Sequence, residues 1–405
     1  MRARWLCLAA ATLVALLAGC GTVGISSDAG TQLTIYSSLP LHGPSAAVAE
    51  QIVGGEKLAL AQVHGQVGRF KVYYYSLNDV NPTTGEVDPG LTAQDAKVAA
   101  QDPSTIAYLG DYNSGATAIS LPLINAAGIL QVSPASPYVG LVSSLDAGQD
   151  EPERFYPTGK RTFARLEPDD VVEAAAQVQE MRRRSIKRLY VLSDEDPFQV
   201  PLSELVASDA RNAGIEVLGR ESLNTKTGLE FTGEAEKIAS SGARAVFFSG
   251  SPSAGAVALW RALYASQRGM RLFGSSALAN RSFTSQIGPA EQNTLLSTPI
   301  LPTSKYPASA QRVLADYERQ FGTRPEAYAL YGYEAMNSVL AALRAAGRHA
   351  NNRQAVIDAF FAAHQRDSVI GSYSIQPDGQ STLTRYAMNR VVGGEPVFYR
   401  VLDVR

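Results

Sequence analysis

Short apolar runs alternate with longer amphipathic segments along most of the chain, beginning at Leu33. The short runs are rich in β-branched and aromatic residues, as strands are, whereas the longer segments carry apolar residues at helical spacing. Strands that alternate with helices in this way predict parallel sheets with helices on both faces. The predicted strands cover 33–37, 70–76, 106–110, 129–132, 162–165, 188–192, 216–218, 245–250 and 271–274. The predicted helices cover 46–63, 91–100, 114–127, 169–183, 202–213, 231–241 and 254–268.

The C-terminal part of the chain follows a different pattern. Consecutive helical segments come first, and antiparallel strands are predicted after them within 372–402. Turns at 377–379 and 393–394, which contain glycine, separate these strands. The predicted C-terminal helices cover 308–321, 328–346 and 353–363. The chain is therefore an α/β protein whose last strands depart from the parallel pattern.

The first 20 residues read as a secretion signal rather than as part of the fold. A basic start precedes an apolar run over 5–18, which is the layout of a signal peptide. The run is shorter than the roughly 20 apolar residues that a membrane-spanning helix needs. It ends in Leu-Ala-Gly-Cys, which resembles the lipobox of bacterial lipoproteins. That resemblance implies that 1–19 are removed, that Cys20 carries the lipid, and that 20–31 form a flexible tether.

Composition excludes several classes of protein. The chain of 405 residues has room for two or three domains, and its 18% charged and 45% apolar residues fit a soluble globular protein. The net charge of -2 gives no general attraction to nucleic acid, so no nucleic-acid partner is predicted. The two cysteines, Cys7 and Cys20, both lie in the N-terminal segment, which excludes a disulfide framework for the fold.

Sequence motifs for catalysis and cofactor binding are absent. The four histidines include no pair at the spacing of a helical zinc site, and no G-x-S-x-G segment marks a hydrolase nucleophile. No G-x-G-x-x-G follows the first strand, which argues against a dinucleotide-binding fold. We therefore predict no catalytic residue, no metal and no cofactor.

The segment 110–117 favours a small ligand over a nucleotide. Its sequence, GDYNSGAT, has the spacing of a phosphate loop, but Ala116 stands where such a loop needs a lysine. What remains is a helix N-terminus with free backbone N–H groups and the Ser114 hydroxyl, which suits one small carboxylate or carbonyl oxygen. The alternative is that Ser114 serves only as the N-cap of the helix.

Other predicted strands are also followed by residues that could contact a ligand, because ligands of parallel sheets bind at the carboxyl ends of the strands. His42 follows the first strand, although a lone loop histidine is more often simply exposed. In segment 133–138, prolines stiffen the loop and leave carbonyl oxygens free as acceptors. Segment 249–253 consists mainly of small residues with hydroxyl groups, which could contact a ligand; the alternative is that it forms a turn and a helix N-cap. The carboxylates of 194–196, next to Phe198, suit a ligand amine or form a solvated acidic loop.

Short motifs spread from the first strand to a late helix match segments of a known family. They are LHGP at 41–44 with GGE at 54–56, Gly110 with Ser114, GILQVSPA at 128–135, and YGYEAM at 331–336. On these motifs, residues 33 to about 400 resemble the type I periplasmic binding proteins of the leucine/isoleucine/valine-binding family, which are the receptors of ABC importers.

The resemblance implies an α/β fold of periplasmic-binding-protein type I. Two doubly wound parallel-sheet lobes would be joined by three hinge crossovers and would close on a small ligand in the cleft between them. One lobe would comprise 31–166 with 301–370, and the other 167–300 with 371–405.

The resemblance also implies ligand contacts, and the chain departs from several of them. In the family, the serine that matches Ser114 and the backbone at the position of Ala135 bind the α-carboxylate and α-ammonium of an amino acid. Pro137 lacks the backbone N–H that the family uses as a donor, and Ser276 falls where a glutamate holds the ammonium. Three positions at which the family has pocket-lining tyrosines are occupied in this chain by Val48, Phe198 and Ser251.

These departures change the expected ligand. A buried, unpaired ammonium costs on the order of several kcal/mol, so a free amino acid is a poor ligand unless another carboxylate replaces the missing glutamate. The candidate replacements are the carboxylates of Asp194, Glu195 and Asp196. We therefore expect a small polar metabolite, amino-acid-like or amide-like, with an apolar portion against Phe198.

The expected function is that of a lipid-anchored, extracytoplasmic solute-binding protein, monomeric, which captures this ligand and delivers it to an ABC permease in the membrane. One alternative is a sensory receptor of the same fold that signals to a membrane partner. A surface hydrolase is a further alternative, against which the lack of a nucleophile with its base speaks. The candidate ligand-binding residues are His42, Tyr112, Asn113, Ser114, Ala135, Ser136, Asp194, Phe198, Ser251 and Ser276.

Overall fold

The computed structural model describes residues 30–144 and 147–404, and in this range the chain forms two α/β lobes. The predicted signal peptide, the lipidation at Cys20 and nearly all of the tether lie outside the described residues. Each lobe has one sheet that is mainly parallel. The predicted fold class of two parallel-sheet lobes is confirmed.

The first sheet forms the centre of lobe 1. Its strand order is β2-β3-β1-β4-β5-β6, and every pairing is parallel except that of β2 with β3. The strands are β1 (Gln32–Leu39), β2 (Gln66–Val67), β3 (Phe70–Asn78), β4 (Thr105–Gly110), β5 (Leu130–Ser133) and β6 (Phe163–Arg165).

The second sheet forms the centre of lobe 2. Its order is β15-β14-β11-β10-β9-β7-β8, with β14 and β15 antiparallel at one edge, as the C-terminal pattern predicted. The strands are β7 (Arg188–Asp194), β8 (Glu216–Leu223), β9 (Ala245–Ser249), β10 (Arg271–Gly274), β11 (Thr294–Thr298), β14 (Arg385–Val392) and β15 (Glu395–Asp403). Between β11 and β14 in the chain, β12 (Arg366–Ser368) and β13 (Gly371–Tyr373) form a separate antiparallel pair.

The helices cover both faces of each sheet. Within the part of the chain that the structure describes, none of them is both long enough and apolar enough to span a bilayer. The helices are α1 (Ala46–Gln62), α2 (Pro89–Gln101), α3 (Ser114–Ala126), α4 (Asp170–Arg183), α5 (Val200–Asn212), α6 (Thr232–Ser240), α7 (Ala254–Ser266), α8 (Arg281–Thr284), α9 (Ala308–Phe321), α10 (Tyr328–Ala346) and α11 (Arg353–Phe361).

Alternation along the central strands explains why both faces of the sheets are covered. In β4, Ala107 and Leu109 pack into the core beneath α1, α9, α10 and α11, whereas Tyr108 points to the opposite face, towards α2 and α3. In β9, Phe247 faces α4 and α5, and Phe248 faces α6 and α7. Since neighbouring strand residues point to opposite faces, a fully apolar strand needs a helical layer on each side.

The chain passes between the lobes three times in the described residues. It leaves lobe 1 after β6, returns after β11 to place α9 and α10 against α1 and α11 against α10, and crosses again before β14. The carboxyl ends of the parallel strands in the two sheets therefore face a shared cleft near these crossings.

One central strand, β11 (Thr294–Thr298), was missed by the sequence pattern. The first four of its residues, TLLS, are buried, and the strand pairs in parallel with β10 on one side. A full helix precedes each of the strands β7 to β10, whereas only the four-residue α8 and two 3₁₀ turns precede β11. The alternation on which the prediction depended is therefore interrupted at this strand.

Lobe 1 depends on a close approach of α1 to α10. A Cβ atom on Gly55 would overlap the carbonyl oxygen of Ala329 and would lie 2.6 Å from the backbone nitrogen of Tyr333. A Cβ atom on Gly332 would likewise overlap the backbone of Ile52. Two backbones at this distance leave no room for a side chain, and backbone cannot move aside as a flexible side chain can.

We expect the Gly55→Ala variant to lose about 1–3 kcal/mol of unfolding free energy, because its methyl group overpacks a rigid backbone contact. The matched control is Gly233→Ala, in helix α6, where a Cβ atom would meet nothing within 4 Å. That variant should be neutral or gain up to about 1 kcal/mol. Urea denaturation of both variants measures the difference, and equal stability of the two would show that the α1 to α10 contact is loose.

Candidate functional site

A cavity of about 460 Å³ lies between the lobes at the carboxyl ends of the strands. Its wall on the lobe 1 side comes from the segments after β1, β3, β4 and β5 and from α10, and its wall on the lobe 2 side comes from those after β7, β9, β10 and β11. The segment after β6, where the chain crosses between the lobes, completes the lining. A volume of this size suits a small metabolite. The site is thus built at the place where parallel sheets of this kind bind ligands.

Most of the candidate residues from the sequence line this cavity. Although they lie far apart in sequence, the strand ends bring them to one cleft. The lining residues among the candidates are Tyr112, Asn113, Ser114, Ala135, Phe198, Ser251 and Ser276.

The other candidates lie outside the lining. The hydroxyl of Ser136 is buried, and it donates to the carbonyl oxygen of Asp111 at 3.0 Å. Asp194 accepts from the backbone nitrogens of Ser251 at 2.8 Å and Asp196 at 3.1 Å, so its carboxylate holds loops together. His42 is exposed and precedes a 3₁₀ turn.

The N-terminus of α3 presents Ser114 to the cavity. The N-cap position belongs to Asn113, and Ser114 is the first residue of the helix. The Ser114 hydroxyl oxygen accepts from the backbone nitrogen of Tyr138 at 3.2 Å. This N–H lies one residue after Pro137, which has none to donate, and it ties the loop after β5 to the start of α3.

Aromatic rings form the apolar part of the cavity. Phe198, on lobe 2, meets Tyr138, on lobe 1, edge to face, with ring centroids 5.2 Å apart. Tyr112 and Tyr328 line the cavity together, with ring centroids 5.7 Å apart at an angle of 68°. The contact of Phe198 with Tyr138 also joins the lobes at the cleft.

Two buried carboxylates that sequence reasoning missed also line the cavity. Glu167, two residues after the end of β6, is 2% exposed, and Asp170, in the first turn of α4, is 3% exposed. Burial, with the nearby charge of Asp170, raises the pKa of Glu167 well above its usual range. Burial, with the charge of Glu173, does the same for the pKa of Asp170. The run Glu-Pro-Asp-Asp, which begins two residues after a predicted strand, was the available signal.

The cation beside these carboxylates is Arg165, at the end of β6. It is wholly buried, and its Nη1 donates to the carbonyl oxygens of Ser136 at 2.9 Å and Tyr138 at 2.6 Å. Its Nε donates to Gln380 at 2.6 Å, and its Nη2 lies 3.9 Å from Asp169. Arg165 therefore joins the loop after β5 to two of the crossings between the lobes.

A second group of buried carboxylates lies in lobe 1, outside the cavity lining. Burial, with the charge of Asp95, raises the pKa of Asp79 to about 7, and burial raises the pKa of Asp95 to about 6. Burial and the charge of Asp79 raise the pKa of Asp111 well above its usual range, although Asp111 accepts from Tyr108 and Ser120. Neither carboxylate oxygen of Asp79 has a hydrogen-bond partner among the described residues. Of the described residues, no cluster of His, Cys, Asp and Glu side chains has the arrangement of a metal site.

Comparisons with known proteins place these features in a family context. The sequence model of a family described as periplasmic binding protein matches residues 33–395. The Leu/Ile/Val-binding protein homolog 1 of Brucella suis biovar 1 is 24% identical over 382 residues, which cover 93% of this chain and 95% of the relative.

Solved structures share the fold across almost the whole chain. A leucine-binding protein of Thermotoga maritima superimposes with a TM-score of 0.75 at 19% identity, covering 92% of this chain and 99% of its own. A solute-binding protein of an ABC transporter from R. palustris, solved in complex with benzoate, gives a TM-score of 0.70 at 17% identity, with coverages of 91% and 96%.

The pKa of Asp79 predicts how stability depends on pH. Because its value of about 7 in the fold exceeds the ordinary 3.8, the folded protein holds a proton that the unfolded chain releases between those values. Stability is therefore lost as the pH rises through this range. We expect Asp79→Asn to stabilise the protein by about 2–4 kcal/mol more at pH 8 than at pH 4.

Urea denaturation at both pH values measures this difference. The control is Asp358→Asn, at an exposed position on α11, which should behave alike at the two pH values. An Asp79→Asn effect that is equal at pH 4 and pH 8 would contradict the assignment.

Proposed function

The chain belongs to the type I periplasmic binding proteins, the family of the Leu/Ile/Val-binding proteins, and we propose that it captures a small polar metabolite between its lobes and delivers it to an ABC importer. Proteins of this family carry ligands without transforming them, so the chain is a ligand carrier and not an enzyme. The observation that carries the proposal is the cavity between the lobes, which both sheets line with the carboxyl ends of their strands.

The chemistry of the cavity supports an amino-acid-like or amide-like ligand. The start of α3, with Ser114, offers backbone N–H groups and a hydroxyl to a carboxylate or carbonyl oxygen. The rings of Tyr112 and Phe198 offer apolar surface to the rest of the molecule. Related folds accommodate similar sizes, since one neighbour is a leucine-binding protein and another was solved with benzoate.

The arrangement of the lobes supports capture by hinge closure. We propose that 31–166 with 301–370 move as one lobe and 167–300 with 371–405 as the other, with the protein acting as a monomer. The contact between Phe198 and Tyr138 crosses the cleft near the cavity. A ligand that touches both walls would favour the closed arrangement, because only that arrangement provides both sets of contacts.

The N-terminal sequence supports attachment of the protein outside the cytoplasm. We propose that 1–19 act as a signal peptide and that Cys20 carries the lipid anchor, with 20–31 as a tether. Lipid chains contribute about 0.8 kcal/mol for each buried CH₂ group, and two or more chains give stable anchoring. The receptor would then remain near its permease in the membrane.

A thermal-shift screen of amino acids, amides and small carboxylates tests the binding function. A true ligand at 100 times its Kd should stabilise the protein by about 2.7 kcal/mol. The Ser114→Ala variant should bind the hit about 2- to 10-fold more weakly, since one hydrogen bond is worth about 0.5–1.5 kcal/mol. Ser240→Ala, at the exposed end of α6, which contributes no residue to the cavity lining, serves as the control. A hit that Ser114→Ala binds as tightly as wild type would remove Ser114 from the site.

The anchor has a separate test. In a host with a lipoprotein pathway, wild type should fractionate with membranes, and Cys20→Ser should be released as a soluble protein because it has no sulfur to acylate. Cys7→Ser, within the predicted signal peptide, is the matched control and should remain with the membranes. Membrane retention of Cys20→Ser would refute lipidation at this residue.

A further inference from the structure

We infer that the cleft selects ligands with a positively charged group, an amine, amidine or guanidine, which Glu167 and Asp170 bind. This inference rests on the proposed binding function and specifies its ligand class. Among the described residues that line the cavity, the charged ones are Glu167, Asp170 and Asp196, and no lysine, arginine or histidine accompanies them. Such a wall offers acceptors to a cation and no cationic partner to an isolated carboxylate.

Glu167 has an unused acceptor in the fold. Its Oε2 atom is buried and has no hydrogen-bond partner among the described residues. A buried carboxylate without partners is costly, and a charged N–H donor is the partner that offsets the cost best. Because Glu167 also lines the cavity, a ligand can supply that donor.

The neighbouring charged groups are already engaged. Arg165, the nearest cation, donates to carbonyl oxygens and does not line the cavity. Glu173 accepts from the backbone and hydroxyl of Ser276 at 2.7 Å each and from the hydroxyl of Ser297. The side chain of Asp169 accepts from the backbone nitrogen of Val172, at the start of α4.

The third acidic residue of the wall also has partners. Asp196 accepts from the backbone nitrogen of Phe198 at 2.9 Å, and its other oxygen lies 3.9 Å from the ammonium nitrogen of Lys226. Glu167 and Asp170 are therefore the carboxylates that remain for a ligand.

Aromatic rings beside Glu167 strengthen the inference. Tyr112 and Glu167 line the same cavity; burial raises the pKa of Tyr112 to about 12, and the charge of Glu167 adds to that rise. The charge of Glu167 also contributes to the raised pKa of Tyr328, after burial and Tyr112. Ring faces attract cations, and carboxylates combined with tyrosines are a common environment for ammonium groups.

The position of this cation site differs from the one that the family resemblance implies. There, a glutamate at the position of Ser276 would hold an ammonium. Here, Ser276 instead donates to the buried Glu173, and the free carboxylates lie at the first crossing between the lobes. An amino-acid-like ligand would then place its cationic group towards Glu167 and its carboxylate towards the start of α3.

A set of probes with one shape and different charges tests the inference. Benzamidine, benzamide and benzoate share a ring and carry a positive, neutral and negative head group, and leucinamide, lysine and arginine extend the cationic set. At pH 7.5 and 10 mM, we expect at least one cationic probe to raise the Tm of wild type and benzoate to leave it unchanged. Benzoate binding as tight as that of the cations, or no shift by any cationic probe, would overturn the inference.

Variants assign the effect to the two carboxylates. Glu167→Gln and Asp170→Asn should each lower the affinity for the best cationic probe roughly 10- to 100-fold, as measured by calorimetry, since a hydrogen bond to a charged group is worth about 1.5–3 kcal/mol. Glu195→Gln, on an exposed part of the neighbouring loop, is the matched control and should bind as wild type does. Unchanged affinity in both test variants, with unchanged far-UV circular dichroism, would contradict the assignment.

Proton release gives a readout that a merely structural role would not produce. Burial raises the pKa of both carboxylates, and a bound cation, which favours their ionised form, should displace protons from them. The groups around them are Arg165, Asp169, Glu173 and the tyrosines Tyr112, Tyr328 and Tyr386. Calorimetry in buffers of different ionisation enthalpy should detect release in wild type that is smaller in Glu167→Gln.

The outcomes separate this inference from the proposed function. If a neutral or anionic probe binds and Ser114→Ala weakens it, the chain is a receptor but the cation site is wrong. If no compound in either screen shifts the Tm, both fail.

Discussion

The buried guanidinium of Arg165 organises the region on which the cleft depends. It ends β6, contacts the carbonyl oxygens of the loop after β5, and bonds to Gln380 near the last crossing of the chain between the lobes. A charge in this position is tolerated because backbone and side-chain acceptors replace the water it has lost. Ala135 and Glu167, which line the cavity, lie on the segments that Arg165 joins. The hinge and the binding wall are therefore parts of one hydrogen-bonded unit.

Local patterns predicted most of the fold, because each strand and helix of a parallel sheet has its own apolar period. Helices α9 and α10 begin and end at the predicted residues, whereas β11 was missed because no full helix precedes it. At the site, the rule that ligands bind at strand ends selected Ser114 and Phe198, and both line the cavity.

The local sequence pattern could not predict which carboxylates of the site are buried. The run from Glu167 to Asp170 has the appearance of a solvated helix start, since Asp169 is an ordinary N-cap residue. Its carboxylates become unusual only when lobe 2, Arg165 and the tyrosines of lobe 1 surround them. The net charge of -2 does not reveal this, because it sums the whole chain, whereas the described cavity lining holds carboxyl groups and no basic side chain. A near-neutral composition is thus compatible with a binding site that offers acceptors to a cation.

The glycine contact between α1 and α10 has a consequence for the biogenesis of the protein. Helix α1 is made early and α10 late, so lobe 1 cannot complete its core until nearly the whole chain has been synthesised. Contacts between such distant segments slow folding. The discontinuous lobe therefore couples the folding of lobe 1 to the completion of nearly the whole chain, lobe 2 included.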